Sequence, residues 1–451
     1  MTIANKKEPF ALLFGDIAAF LLALWVTLFV RYAEVPSDTL FYNHLEPFSV
    51  LFLVWVAVFF ISGLYDKHTT LLRSKLPKVV LNAQTVNIIL AALFFFLAPF
   101  VNIAPKTNLV LYSVISSLFI LVWRMFIATR IGVRKKQRAL IIGHSDEVSE
   151  LVGEVNTNPR YLLEFVHIID VDSTDDTQAM HDKILCAIKE GVAVIVIDIK
   201  SRKTAGLLPG MFADTEDVTL LDIHAVYEDV FDRVPIGALN ESWIFENIST
   251  SPRVFYNILK RAMDISGAIL IGGVSLLIYP FVIMAIKIED GGDIFITQRR
   301  VGENNEVFSA YKFRSMERNE DGVWIGETSN VVTKVGALIR KTRIDELPQL
   351  WNILRGDMSF IGPRPDVQGL NERLSREIPF YNTRSVIKPG LSGWAQIKQD
   401  YEKGNQISPQ SVVDTQARLM YDVYYVKNRS LLLDVVIALK TIKTVLSKFG
   451  S

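Results

Sequence analysis

At 451 residues the chain has room for two or three domains, and with half of those residues hydrophobic it is too apolar for an ordinary soluble protein. Its 48 basic and 48 acidic side chains cancel, so bulk charge gives no argument for nucleic acid as a partner. One cysteine, Cys186, excludes an intrachain disulfide and argues against a cysteine-rich zinc site; within KILCAIKE it reads as a small buried hydrophobe.

The apolar residues concentrate in residues 1–130, where four runs are each near the roughly 20 residues needed to cross a bilayer core. They lie at about Phe10–Val30, Pro47–Leu64, Val79–Phe100 and Leu109–Ala128. The first is long enough to remain as an anchor, and no convincing signal-peptide cleavage site follows it. Lys6 and Lys7 precede the first run, Lys67, Arg73, Lys75 and Lys78 separate the second from the third, and Arg130, Arg134, Lys135, Lys136 and Arg138 follow the fourth. The alternate loops carry only Arg31 and Lys106, so the positive-inside rule puts both ends of the bundle in the cytoplasm.

Residues 131–250 change character. RALIIG, FVHIID, VAVIVIDI and VTLLDI read as buried strands, with SDEVSELVGEV and DKILCAIKEG as helices between them, which predicts a small Rossmann-like domain. Gly143-His144-Ser145 follows the first strand in place of a Gly-x-Gly-x-x-Gly turn, so nucleotide binding is doubtful and a regulatory or homodimer-forming role is the better expectation. His144 and His167 read as ordinary surface or packed histidines, because no partner spacing supports a metal.

Beyond 250, Tyr256-x-x-x-Lys260 matches the Tyr/Lys pair of sugar-nucleotide dehydratases, but no glycine-rich turn precedes it. Both residues read instead as part of a basic, amphipathic approach to the membrane. A fifth apolar run follows at about Met263–Ile288, flanked by Arg253, Lys260 and Arg261 before and Arg299 and Arg300 after. Pro280 interrupts it. Basic residues on both flanks predict a dip that enters and leaves on one face; a kinked spanning helix is the alternative that the length permits.

The stretch KTRIDELPQLWNILRGDMSFIGPRP, residues 341–365, carries the chemistry. Pro348 is tolerated only in a first helical turn, so a helix should begin near Ile344 or Asp345, placing Asp345 and Glu346 at its N-terminus. Taken alone, Asp345 as a cap, Glu346 in the first turn and Arg343 in a surface ion pair would account for them. The surroundings argue for more. Tyr311-Lys312-Phe313-Arg314, Gly362-Pro363-Arg364-Pro365 and Lys388-Pro389-Gly390-Leu391-Ser392-Gly393-Trp394 set cations on glycine- and proline-shaped loops, which suits a substrate with more than one phosphate. Two adjacent carboxylates suit a divalent metal or a nucleophile with a helper, and are badly placed to flank a glycosidic bond from opposite sides. Lys312, Arg314 and Arg364 are the candidate phosphate contacts, and Arg343 either joins them or braces the carboxylates; Asp357 reads as a cap after Gly356, and Trp394 as part of a substrate loop. Near the C-terminus, LLLDVVIALKTIKTVLSK suits an interfacial helix or a core helix with exposed lysines.

From about Ser251 onward the chain resembles the bacterial polyprenyl-phosphate hexose-1-phosphate transferases, a family of monotopic phosphoglycosyl transferases. QRRVG, YKFRSM, RIDELPQLWNILRGDMSFIGPRP, IKPGLSGWAQI and YDVYYVKNRSLLLDVVIALKTI carry the resemblance, and the four spans with an α/β insert look like the family's large members. It implies a C-terminal sugar transferase domain over 251–451 with a re-entrant membrane helix at about 263–288. It further implies transfer of hexose 1-phosphate from a UDP-hexose to undecaprenyl phosphate, with release of UMP, to begin exopolysaccharide, capsule or O-antigen synthesis. Asp345 would be the nucleophile and a Mg²⁺ ligand, with Glu346 positioning metal or lipid phosphate. The implied setting is the bacterial inner membrane with the site on the cytoplasmic face. A membrane-tethered dehydratase, which needs the missing glycine loop, and a receptor or scaffold, which leaves the acidic pair without a task, are the rival readings.

Overall fold

A computed structural model describes residues 7–65, 76–97, 105–127, 136–143, 145–158, 161–171, 177–198, 204, 218–248, 253–316, 332–399 and 412–449. They form two compact units, Met1–Val230 and Phe231–Ser451.

In the first unit four helices are long and apolar enough to cross a membrane, as expected: α1 (Lys7–Tyr32), α2 (Asp38–Ile61), α3 (Leu76–Leu97) and α4 (Pro105–Val122). Their outer faces leave Phe14, Leu53, Phe96 and Val114 exposed, while the seam between them buries Phe20, Phe48, Trp55, Phe59 and Tyr112. A helix satisfies its own backbone, so such surfaces can face lipid without unpaired amides. At the end from which the basic segments continue, a π-turn at Trp123–Ile127 turns Arg124 inward onto Asp16 (Nε to Oδ1, 3.0 Å). Tyr65 donates to Asp16 at 2.7 Å and Arg124 to the Leu64 carbonyl at 2.8 Å. A buried ion pair is tolerable only when its remaining donors and acceptors are met, and here they tie α1, α2 and α4 together.

The sheet that follows is built from β1 (Gln137–Ile142), α5 (Asp146–Thr157), β2 (Leu163–Ile169), α6 (Thr177–Lys189), β3 (Val194–Ile197), β4 (Thr219–Asp222) and α7 (Ile223–Phe231). All four strands are parallel, in the order β2-β1-β3-β4. Parallel strands covered on both faces read as unbroken apolar runs, and ALII of β1 and VIVI of β3 are wholly buried. Cys186 departs from expectation: Met180, Ile184 and Ala187 form the buried stripe of α6 at helical spacing, and Cys186 falls off that stripe and is exposed. His167 pairs with Glu190 at 2.9 Å, and His144 lies outside the described residues.

The second unit begins at Phe231, earlier than the boundary at 250 expected from composition. Val234, Trp243 of α8 (Glu241–Asn247) and Ile248 pack with Leu374, Tyr381, Leu419 and Val423. The fifth apolar run forms α9 (Val254–Leu276) and α10 (Tyr279–Asp290), bent by 54°. The bend falls at Leu277–Ile278, where the last turn of α9 tightens into bonds from Leu277 N–H to Val274 O and from Ile278 N–H to Ser275 O. Pro280 is therefore not the break point itself. It occupies the first turn of α10, where its missing N–H costs nothing and where α9 could not have continued through it. Val282 and Ile286 of α10 pack with Phe313 and Ile339, while Leu270, Leu277, Phe281 and Ile288 stay exposed.

Next come the antiparallel hairpin β5 (Phe295–Val301) and β6 (Val307–Phe313), α11 (Lys334–Lys341), a 3-10 segment (Ile344–Gln349), α12 (Leu350–Arg355) and β7 (Ser359–Ile361). The chain closes with α13 (Gln368–Glu377), β8 (Gly390–Ser392), α14 (Trp394–Lys398), α15 (Val412–Asn428) and α16 (Leu431–Phe449). One side of α16 buries Asp434 and Ile437, and the other exposes Leu432, Val435 and Ile442.

Candidate active site

The acidic pair sits in the 3-10 segment and not in an α-helical turn, which begins only at Leu350. Two local causes combine. Arg343 adopts a left-handed backbone (φ 60°) that breaks the helical path after α11, and Pro348 has no N–H to bond back to Ile344. Asn352, fully buried, then pins this segment to β6: its Nδ2 donates to Ser309 O (2.8 Å) and its Oδ1 accepts from Tyr311 N–H (3.1 Å). Lys312 follows directly and is thereby brought to the acidic pair. On the other side Gly362 and Gly390 let β7 and β8 approach so closely that a Cβ on Gly390 would lie 2.1 Å from Gly362 N. That approach carries Arg364 inward.

Glu346 is the hub. Its Oε1 accepts from Arg364 Nη2 at 2.6 Å and lies 3.7 Å from Lys312 Nζ, while its Oε2 lies 3.4 Å from Arg343 Nη1. Asp345 is equally buried, and its Oδ1 has no hydrogen-bond partner among the described residues. The electrostatics of the two acids diverge. Burial would push the Glu346 carboxyl up, but Arg364, Lys312 and Arg343 hold it well below the usual range. Asp345 is raised, first by burial and then by the charge of Glu346. Lys312 is pushed down to about 7 by burial and by the like charge of Arg300, and Arg300 down to about 10 by burial and by Arg364. One acid is thus locked in ion pairs and the other left with an open oxygen among cations.

Arg300 is the residue that sequence reasoning misplaced. It reads as a membrane-flank charge, yet strand alternation in β5 exposes Arg299 and buries Arg300, whose guanidinium donates to Gln298 Oε1 (2.9 Å) and Pro365 O (3.2 Å). Of the expected phosphate contacts, Lys312, Arg343 and Arg364 converge on Glu346; Arg314 instead lays its guanidinium over Gly292, just after α10.

Several flanking expectations are corrected. Lys260 and Tyr256 both reach Asp434 Oδ2 at 2.9 Å, and Arg261 donates to Ile353 O and Leu354 O at 2.6 Å. They face inward and grip α16 and the end of α12, because the basic flank of α9 meets carboxylate and helix-end carbonyls there. Trp394 is buried in the core, stacked on Tyr424 with its Nε1 donating to Asp232 O. Asp357 accepts from Asn352 Nδ2 at 3.0 Å and serves the same cross-tie.

Residues 255–448 match the model of the family described as bacterial sugar transferase. A UDP-N-acetylgalactosamine-undecaprenyl-phosphate N-acetylgalactosaminephosphotransferase of Aeromonas hydrophila is 40% identical over 52% of this chain and 54% of its own length. An undecaprenyl-phosphate glucose phosphotransferase of Komagataeibacter xylinus is 28% identical over 69% of this chain and 59% of its own length. In both, the chain spans little more than half of the relative. A UDP-glucose:undecaprenyl-phosphate glucose-1-phosphate transferase of Caulobacter vibrioides is 35% identical over 44% of this chain and 73% of its own length.

Proposed function

Because this chain belongs to the bacterial sugar transferase family, we propose that it transfers hexose 1-phosphate from a UDP-hexose to undecaprenyl phosphate, the first step of a cell-surface polysaccharide. The observation that carries the reading is the surplus of cations: buried Arg300 and Arg364, with partly buried Lys312 and Arg343, gather round Asp345 and Glu346, and Asp366 adds a further acid, acting on Arg300. In a poorly solvated site such an excess is unfavourable until an anion completes it, and a sugar-nucleotide diphosphate is such an anion.

In this mechanism a carboxylate oxygen of Asp345 attacks the sugar-bearing phosphorus. The bond from that phosphorus to the UMP oxygen breaks, UMP departs with the bonding pair, and hexose 1-phosphate remains on Asp345 as an acyl phosphate. A phosphate oxygen of undecaprenyl phosphate then attacks the same phosphorus, the bond from that phosphorus to the Asp345 oxygen breaks, and the Asp345 carboxylate leaves with the bonding pair. The open Oδ1 of Asp345 suits this role, while Glu346, committed to Arg364, Lys312 and Arg343, fixes those cations. Lys312, Arg300 and Arg364 neutralise charge that builds on the phosphates. The donor set also fits Mg²⁺, a hard cation that takes oxygen ligands and commonly shares one or two carboxylates with substrate phosphates; Asp345, with Glu346 behind it, would hold it. When bound it offsets repulsion between the carboxylate and the diphosphate.

The parallel middle sheet is read as Rossmann-like, and the bent α9–α10 pair as a re-entrant hairpin in the bacterial inner membrane with the site on the cytoplasmic face. Exposed apolar residues on both arms support that reading. Two experiments test it. Membranes given UDP-hexose labelled in the sugar-bearing phosphate, without lipid acceptor, should release UMP and carry label on the Asp345 peptide, which undecaprenyl phosphate then discharges. Label on another residue, or none, would remove the covalent mechanism. With the exposed Cys186 replaced by serine, single cysteines near Arg253 and Asn304 should be labelled from the same side of the membrane. Labelling from opposite sides would mean a full crossing.

A further inference from the structure

The segment 362–366 presents Arg364 to Glu346, and each of its carbonyls from Pro363 to Asp366 is held from outside. Pro363 O accepts from Gly390 N–H (2.9 Å), Arg364 O from Arg384 Nη2 (2.5 Å), Pro365 O from Arg300 (3.2 Å) and Asp366 O from Val301 N–H (3.0 Å). Of these ties the Arg384 contact alone is made by a side chain that is itself caged. Its Nε donates to Asp422 at 2.9 Å and its Nη1 to Asp366, which also accepts from Arg418 (2.7 Å) and the Tyr381 hydroxyl (2.6 Å). Burial would push the Asp366 carboxyl up, but Arg384 and Arg418 hold it well below the usual carboxylate range.

A buried ionic cluster is weak grounds for stability, since apolar residues of the same volume often fold as well. This one ends on the backbone of Arg364, and it uses three separate nitrogens of one planar group on three acceptors, whereas lysine donates from a single nitrogen.

We propose that Arg384 is a positioning residue of the active site: through the main-chain carbonyl of Arg364 it sets where that arginine meets Glu346, and Asp366 and Asp422 hold Arg384 in place. The geometric part stands on the hydrogen bonds alone; its kinetic consequence rests on the transferase reading.

The test uses the full chain in lipid nanodiscs. Arg384→Lys keeps the charge between Asp366 and Asp422 but gives up the carbonyl. Amide exchange at Arg364 and Asp366 should quicken about tenfold or more, with Val307–Phe313 unchanged. Turnover should fall about ten- to a hundredfold, with KM for UDP-hexose moving less than about threefold. In an Arg364→Lys background the same substitution should cost less than about twofold, because the effect passes through Arg364. Unchanged exchange at 364 and 366, or equal losses in both backgrounds, would overturn the assignment. Exchange needs no turnover, so a wild-type protein that made no sugar-lipid would count against the reaction while the loop still decided the inference. If Arg384→Lys does not fold, Tyr381→Phe removes one donor from Asp366 and should quicken the same amides about threefold; no change there would overturn the assignment equally.

Discussion

Two buried ionic clusters share the second unit, and they are built on opposite accounts of charge. Around Asp366, two aspartates (Asp366, Asp422) meet two arginines (Arg384, Arg418), and each partner answers another. Around Asp345 and Glu346 gather buried Arg300 and Arg364 with partly buried Lys312 and Arg343; Asp366 adds its charge on Arg300, so cations still outnumber acids, and an acidic oxygen stays open. The balanced cluster is closed chemistry and can only hold backbone in place. The unbalanced one carries a standing cost that a bound polyanion would relieve, which is how a site differs from a scaffold.

Substitutions should separate the two by what they damage. Asp345→Asn should abolish sugar-lipid formation, by on the order of 10⁴-fold or more, because a carboxamide cannot form the acyl phosphate. Its melting temperature in nanodiscs should hold or rise, since a desolvated acid has been removed; a lost fold would place Asp345 in the scaffold class. Asp366→Asn should act first on the fold and cost roughly 3–5 kcal/mol of stability by stranding Arg384 and Arg418. The sign follows from its depressed pKa: the stabilisation is full above the ordinary carboxylate value and fades as pH falls through the folded one. A variant as stable as wild type would dissolve the distinction between the clusters.

How much of this could be read in advance differs between the same two regions. The spans, the strands and the acidic pair with Lys312, Arg343 and Arg364 were legible, because long apolar runs, buried parallel strands and a carboxylate pair among cations leave local signatures. Arg300 was not, since the alternation that buries it beside an exposed Arg299 is decided by which face of β5 meets the core. Arg314 was assigned to phosphate on motif proximity, whereas its own position after β6 sends it to Gly292. Asp366, Arg384 and Arg418 went unremarked. The contacts of Asp366 with Arg384 and Arg418 span 18 and 52 residues, so no local pattern announces them. Lys260 and Arg261 misled for the same reason: a basic flank looks alike in sequence whether it faces lipid or, as here, Asp434 and the end of α12.

The smallest effect is the most discriminating, because it titrates the surplus itself. Lys312 has been pushed down to about 7 from the ordinary lysine value of 10.5, so in the free protein about half of its charge is already lost at neutrality. As pH rises past about 7 the site sheds one cation, and kcat/KM should decline, approaching about tenfold per pH unit. The acid limb belongs to Asp345, which must be ionised to attack and whose carboxyl is raised above the ordinary 3.8. A bound diphosphate favours the charged lysine, so the decline in kcat should begin at higher pH than that in kcat/KM. Lys312→Arg keeps a cation through this range and should erase the upper limb with little change in rate at pH 6. If the limb survives in that variant, the proton comes from elsewhere, and the excess charge of the site is not what this lysine regulates.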